Sequence, residues 1–514
     1  MLWPARRGIS VHPAGERSEV LEPCRDGPIP VPTAGGLFHV QWDQDAKVSS
    51  LGGLAFFAQF LETTGLFTRW VEGCPLPLGS NRSHRTRDVL GTALLSVLNG
   101  HCRYAHATAL RGDQVNPRLL GMETVVSEDT LRRALGRLDA EAARSWQQEH
   151  LVAGLGSMLS RPWILDVDVT VKPLYGNQDG AELGYNPAKP ARPSHNYHTY
   201  IMASTRLVLD VEVLPGDEHT SASTRPGLWH FLEKLPRTCW PGLLRGDCGF
   251  GNESMMAWPE MRQLPYLFKL RKTARVTELI ASLTDHVGWT DAGQGWQGRE
   301  DTIRLSGWTR TRRIIVLRRA RPGQRKRVRR RRRDPAQQRI PLDIMPVEDP
   351  AFEYAVLVTS LTDDITAIAQ CYRDRADAEN VFDELKNQWG WAGFTTRDRE
   401  RCQITARLIA QVYNWWSLFV RMADPHRHHE AITSRPLLLH GIARQTDHGG
   451  ARTITITHAH AKAPAVQRFF TTIAAFLRSL VTPNAEHSDR RPPLDRLIET
   501  VFAAAFRRGQ PGIT

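Results

Sequence analysis

At Trp163 the hydrophobic pattern changes period, and that change limits the possible folds more than any other feature of the sequence. Upstream, apolar residues recur at helical spacing over 54–70, 88–98 and from 128 towards 159, with Ser127 placed to cap the third run. Downstream, WILDVDVTV alternates as a strand, HTYIMAST and RLVLDVEVL read as two more, PGLWHFLEKL as a helix and GLLRGD as a fourth strand. Strands and helices interleaved in this way predict an α/β core, a mixed sheet with helices packed on it. Beyond it, 354–361 reads as another buried strand, 364–388 as one long helix, and 405–422 as a helix apolar nearly all round, as expected behind a sheet.

At 514 residues the chain is long enough for about three structural units. Residues 1–50 are rich in Pro and Gly and predict an irregular arm; 51–160 is helical; 161–271 and 351–423 form the α/β core, interrupted by a basic, strand-like insertion at 272–350. The remainder, 424–514, reads as mainly helical, with helices at 434–444 and 466–480 and one strand at 453–457. Between Arg304 and Arg333 stand fifteen Lys or Arg and no acid, more than the whole net charge of +13, so the rest of the chain carries −2. Charge this localised points to contact with a polyanion rather than to general basicity. Seven cysteines without a CxxC pair suit a reduced, cytoplasmic compartment, and no apolar run resembles a signal peptide or reaches membrane-spanning length.

The residues that carry chemistry are acids. Asp166 and Asp168 project from the same face of the first strand, because side chains alternate with period two. Asp247 ends the fourth strand and is followed by Cys248-Gly249-Phe250-Gly251, which lets the chain turn sharply beside a carboxylate. On the helix expected at 364–388, Tyr372, Arg375, Glu379 and Lys386 lie at offsets of 0, 3, 7 and 14 residues. At 3.6 residues per turn these fall at about 0°, 300°, 340° and 320°, one stripe about 60° wide. An acid flanked by a phenol, a guanidinium and an ammonium suits a helix beside a phosphodiester; the alternative is a solvated face with i, i+4 pairs such as Arg375 with Glu379. Three carboxylates from two strands and a helix make a hard-cation site, expected to take two Mg²⁺ or Mn²⁺ ions completed by substrate phosphates.

In the order Asp168 (DVDVT), Asp247 (RGDCGFGNE) and Tyr372-x2-Arg375-x3-Glu379-x6-Lys386, the chain resembles the DDE transposases of bacterial insertion sequences that bear the Y-(2)-R-(3)-E-(6)-K signature. LDVDVTVKPLYGNQDGAELGYNP with the later ARPSHNYH resembles the group 1 DDE transposase domain within that branch. The resemblance implies a ribonuclease-H-like, retroviral-integrase-type catalytic core. It makes Asp168, Asp247 and Glu379 the metal ligands, and Tyr372, Arg375 and Lys386 the grip on the DNA backbone near the cut. It also implies a β-rich insertion between the second Asp and the Glu, here 132 residues apart, and an all-α N-terminal region that binds the terminal inverted repeats. A homodimer or larger assembly on double-stranded DNA follows. Asp166 competes with Asp168 for the first position, and Asp168 is preferred because the family's acid stands two before a Thr, here Thr170.

Other basic residues are candidate DNA contacts. Arg132 and Arg133, in SEDTLRRALGRLD, could belong to the recognition helix of a helix-turn-helix or to an ordinary bundle helix. Arg325, Lys326, Arg327, Arg329 and Arg330 offer charge without base-edge geometry, hence affinity without sequence choice. Trp389 and Trp391 are retained as base-stacking candidates, whereas Trp415 and Trp416 read as core. The histidines at 426, 428, 429, 458 and 460 lack Cys partners and HExxH spacing, so a polar loop is preferred to a zinc cluster. Two rival functions remain: a repair or defence nuclease on the same core, and a non-catalytic DNA-binding protein derived from a transposase.

Overall fold

The structure, a computed structural model, describes residues 27–77, 84–186, 189–218, 220–283, 288–321, 352–481 and 491–508. Within the first unit, residues 1–47, strands Ile29–Thr33 and Gly36–Val40 form an antiparallel hairpin. Its tight turn uses Gly36 at φ 110°, a left-handed conformation that side chains resist. The irregular arm expected over 1–50 is corrected over its described part, residues 27–50, and the rest of it lies outside the described residues: Pro and Gly here punctuate strands, including a further short one at Lys47–Ser49.

In the second unit, residues 48–514, a nine-stranded mixed sheet forms from β1 (Ile164–Pro173), β2 (Ser194–Met202), β3 (Leu207–Pro215), β4 (Leu243–Gly246), β5 (Tyr266–Lys269), β6 (Thr290–Asp291), β7 (Gln297–Ile303), β8 (Arg312–Ala320) and β9 (Phe352–Thr359). Its order is β3-β2-β1-β4-β5-β9-β8-β7-β6. β4 runs parallel to β1 and to β5, and the other neighbours are antiparallel. The strands of the basic stretch thus widen the main sheet instead of standing apart from it, because β9 pairs with β5 on one side and β8 on the other.

Alternation along these strands sets the site. Ile164, Asp166 and Asp168 on β1, Leu243 and Arg245 on β4 with Asp247 just beyond, and Leu267 and Lys269 on β5 share one face of the sheet. Onto that face packs α1 (Ile365–Arg373), whose Ile368, Ala369 and Cys371 bury against Leu243, Leu267 and Leu357. After a two-residue turn comes α2 (Ala376–Asn387). The single helix expected over 364–388 is therefore two helices.

Helix α3 (Arg399–Ala423) runs along β3, the edge of the sheet. Edge strands expose unpaired backbone groups, and α3 supplies amides for them. Asn414 accepts from Val208 N–H at 2.9 Å and donates to its carbonyl at 2.7 Å. Gln403 likewise accepts from Val213 N–H and donates to the Val211 carbonyl. Arg407 adds a buried ion pair with Asp210 at 2.8 Å.

Between Leu54 and Leu159 the described residues form mainly helices, and these share one apolar core with the sheet and α3. The run 54–70 divides into Leu54–Thr64 and Leu66–Glu72 at Gly65, φ 66°. Ser127 caps helix Glu128–Leu135 by accepting from Thr130 N–H. Near the C-terminus the helix expected at 434–444 is corrected to Ala431–Leu438 followed by the hairpin Ile442–His448 and Ala451–Thr457; Gly449 and Gly450, both at positive φ, make the turn. Helix Ala463–Val481 follows. Among the described residues no helix is long and apolar enough to cross a membrane.

Candidate active site

Asp168, Asp247 and Glu379 line one cleft, of about 380 Å³, with Tyr372 and Arg375. The cleft is built where strand ends meet the α1–α2 turn. Gly246 permits the approach before Asp247, since a Cβ there would sit 2.9 Å from the buried Phe250 ring. Gly251 does the same on the far side of the turn, where a Cβ would lie 2.5 Å from the Lys269 carbonyl. Asp247 is fixed by the Gly249 N–H, which donates to Oδ1 at 2.8 Å, and Asp168 by the Val169 N–H, also at 2.8 Å.

The two aspartates of β1 have different partners. Asp166, 1 % exposed, receives two hydrogen bonds from Arg245, Nε at 2.6 Å and Nη2 at 2.8 Å, its neighbour across the parallel ladder. Asp168 faces the cleft and receives Arg375 Nη2. Burial pushes the Asp168 carboxyl up to about 7, and Asp247 and Asp166 add to the shift, although Arg375 and the Val169 N–H oppose it.

Arg245 also explains the broken helix. In an unbroken α-helix the Cys371 carbonyl would accept from Arg375 N–H, four residues on. Instead Arg245 Nη1 donates to that carbonyl, and Arg375 N–H turns to Tyr372 O at 3.2 Å, an i→i−3 bond. A side chain inserted into the i→i−4 ladder is an established cause of a kink. No Gly or Pro marks the site, so sequence alone carried no sign of it.

The kink changes the expected stripe. Arg375 stands at the N-terminus of α2, 6 % exposed, with its guanidinium between two acids: bonded to Asp168 and 3.7 Å from Glu379 Oε1. Its Nε is buried and has no hydrogen-bond partner, an orphan donor that costs about 1–3 kcal/mol. Glu379 itself is open, its side chain 71 % exposed. Tyr372 is pushed up to about 12, mainly by burial, so it is a neutral phenol at ordinary pH. Lys386 does not line the cleft; it is half-buried on α2, and burial pushes its ammonium down while Asp383 and Asp168 partly offset this.

Lys269 and Cys248 also line the cleft, and neither was expected there. The alternation in YLFK, which puts Lys269 on the face of Leu267, was the available signal. Among the described residues no three acids, histidines or cysteines stand close enough together to hold a metal ion. The donor set is nevertheless all oxygen, which suits a hard divalent cation, and the group lying between Asp168 and Glu379 is a guanidinium.

Elsewhere, Arg132 and Arg133 lie outside the cleft on helix Glu128–Leu135. Arg132 pairs with Glu128 and Asp129 of its own helix, and Arg133 donates to the Asp129 carbonyl. Arg325, Lys326, Arg327, Arg329 and Arg330 lie outside the described residues. Trp389 and Trp391 are corrected as stacking candidates: both are at most 1 % exposed, with Trp389 donating to Glu384 and Trp391 to the Ala406 carbonyl. His428 bonds Glu384 on α2, and His429 bonds Asp424 of its own loop.

The family model of the transposase DDE domain group 1 matches residues 39–478. The chain belongs to this family. Asp168, Asp247 and Glu379 are the acids that line the cleft just described. Among solved structures, the cryo-EM structure of a piggyBac transposase synaptic complex with hairpin DNA aligns over 91 % of this chain and 87 % of that one, at 10 % identity and a TM-score of 0.35. No curated protein matches the chain.

Proposed function

We propose that the protein is the transposase of an insertion sequence, binding the inverted ends of its element, hydrolysing the phosphodiester there and joining the freed 3′-hydroxyl to target DNA. The observation that carries this reading is one cleft lined by Asp168, Asp247 and Glu379 together with Tyr372 and Arg375, in a member of the DDE family. The strand order β3-β2-β1-β4-β5, with acids on β1 and after β4, supports a ribonuclease-H-like core.

Asp168, Asp247 and Glu379 would hold divalent ions, Mg²⁺ or Mn²⁺, which activate the attacking oxygen and stabilise the leaving one. The chain's own residues hold the DNA. Tyr372, protonated, donates to a phosphate oxygen; Arg375 offers a planar two-pronged donor; Lys269 adds positive charge beside the scissile group, and Lys386, outside the cleft on α2, holds the DNA backbone farther from it. Helix Glu128–Leu135 and the basic stretch that includes Arg325–Arg330 contribute contacts away from the cut. Two ends brought together call for at least two protomers.

The test is strand cleavage on a duplex carrying the element end. Asp168→Ala, Asp247→Ala or Glu379→Ala abolishes Mg²⁺-dependent cleavage and leaves end binding in place; cleavage surviving any one of them rejects the assignment. A repair or defence nuclease on the same core is separated by supplying pre-cut ends, because only a transposase yields joined product.

A further inference from the structure

Arg375 occupies a position that a cation-binding site would need for itself. Its guanidinium bridges the first and third acids of the cleft, bonded to Asp168 and 3.7 Å from Glu379. The arrangement is not one the side chain satisfies fully, since the buried Nε has no acceptor. The residue sits at the break between α1 and α2, where the helical ladder tightens to an i→i−3 bond, the kind of local geometry that accompanies hinges. Glu379, the other end of the bridge, is open to solvent and free to swing.

We propose that Arg375 is a resident counter-ion: it takes the place of the divalent ion between Asp168 and Glu379 until a DNA phosphate draws it away, so that metal loading follows DNA binding. This rests on the reading of the acids as metal ligands. With no DNA present, the buried Asp168 carboxylate needs positive charge, and the guanidinium supplies it while also reaching the exposed Glu379. A phosphate arriving beside the cleft offers Arg375 a bidentate acceptor and gives the orphan Nε a partner. Once the guanidinium moves, the two carboxylates lose their counter-charge and become the strongest cation site in the cleft. Because coupling between ligands is reciprocal, metal tightens DNA binding by the same factor that DNA tightens metal binding.

The experiment is Mn²⁺ binding to the full chain, followed by electron paramagnetic resonance of the free ion. Without DNA, Arg375→Gln binds Mn²⁺ at least about tenfold more tightly than the wild type, the effect of removing one competing charge at short range. Arg375→Lys, which keeps the charge but not the fork, falls between them. On the unmodified protein, an unrelated DNA duplex raises Mn²⁺ affinity by a similar factor, with the Asp168→Asn complex, which lacks one of the two proposed ligands, as the blank for metal held by DNA itself. Equal affinities for wild type and Arg375→Gln, with no DNA effect on the wild type, overturn the counter-ion while leaving the metal reading intact. Absence of Mn²⁺ binding above the blank in every form, with or without DNA, overturns the metal reading itself.

Discussion

Replacing Arg245 tests whether a buried ion pair shapes the site. Both partners are at most 2 % exposed, and the pair makes two hydrogen bonds of 2.6 and 2.8 Å while Arg245 also holds the Cys371 carbonyl. Arg245→Met leaves Asp166 buried and unpaired, and breaking such a pair costs about 3–5 kcal/mol. Some of this returns, because the freed Cys371 carbonyl can accept from Arg375 N–H and restore a continuous helix, worth about 1 kcal/mol. The net loss is then about 2–4 kcal/mol, read as a fall in the urea midpoint of the full chain. The double variant Asp166→Leu, Arg245→Met removes both charges and recovers most of that stability, since apolar replacement of a buried pair is often neutral. It does not restore the kink. If the kink is what aims Arg375 at Asp168, the double variant is stable yet cleaves DNA at least about tenfold more slowly than the wild type, about 1.4 kcal/mol of lost transition-state stabilisation. A stable double variant that cleaves at the wild-type rate would refute the argument.

Further outcomes follow from particular contacts. Asp168, held up at about 7 by burial, must lose its proton when a cation binds, so Mn²⁺ affinity is level above pH 7 and declines as pH falls below it; titration calorimetry across pH 6–8 checks this, and a flat profile contradicts it. The same shift makes the folded state bind that proton more tightly than the unfolded chain, so the stability it lends at low pH is lost as pH rises through about 7. Asp168→Asn lacks that component in thermal melts. Asn414→Leu orphans both the N–H and the carbonyl of Val208 on the edge strand and costs about 2–4 kcal/mol in denaturant unfolding. Trp391→Ala costs about 3–5 kcal/mol of stability through the cavity it leaves, while a DNA gel-shift measured on folded protein is unchanged.

The sequence by itself determined what is local or periodic. Alternation in DVDVT sets Asp166 and Asp168 on one face, the glycines around Asp247 mark a sharp turn, and the spacing from Tyr372 to Lys386 carries the family signature. Each follows from neighbours a few residues apart, or from a pattern the chain repeats, and needs no knowledge of the fold. Tertiary structure decided the rest. Asp166 and Asp168 are equivalent by period, and only Arg245, 79 residues away, takes one of them out of the cleft. The same guanidinium breaks a helix that no Gly or Pro interrupts, turning Arg375 from a member of a surface stripe into a bridge between acids. Trp389 and Trp391 could have stacked on bases, but their environment is the protein interior. Local preferences are worth tenths of a kcal/mol per residue, whereas a buried charge without its partner costs several, so wherever the two conflict the long-range contact wins.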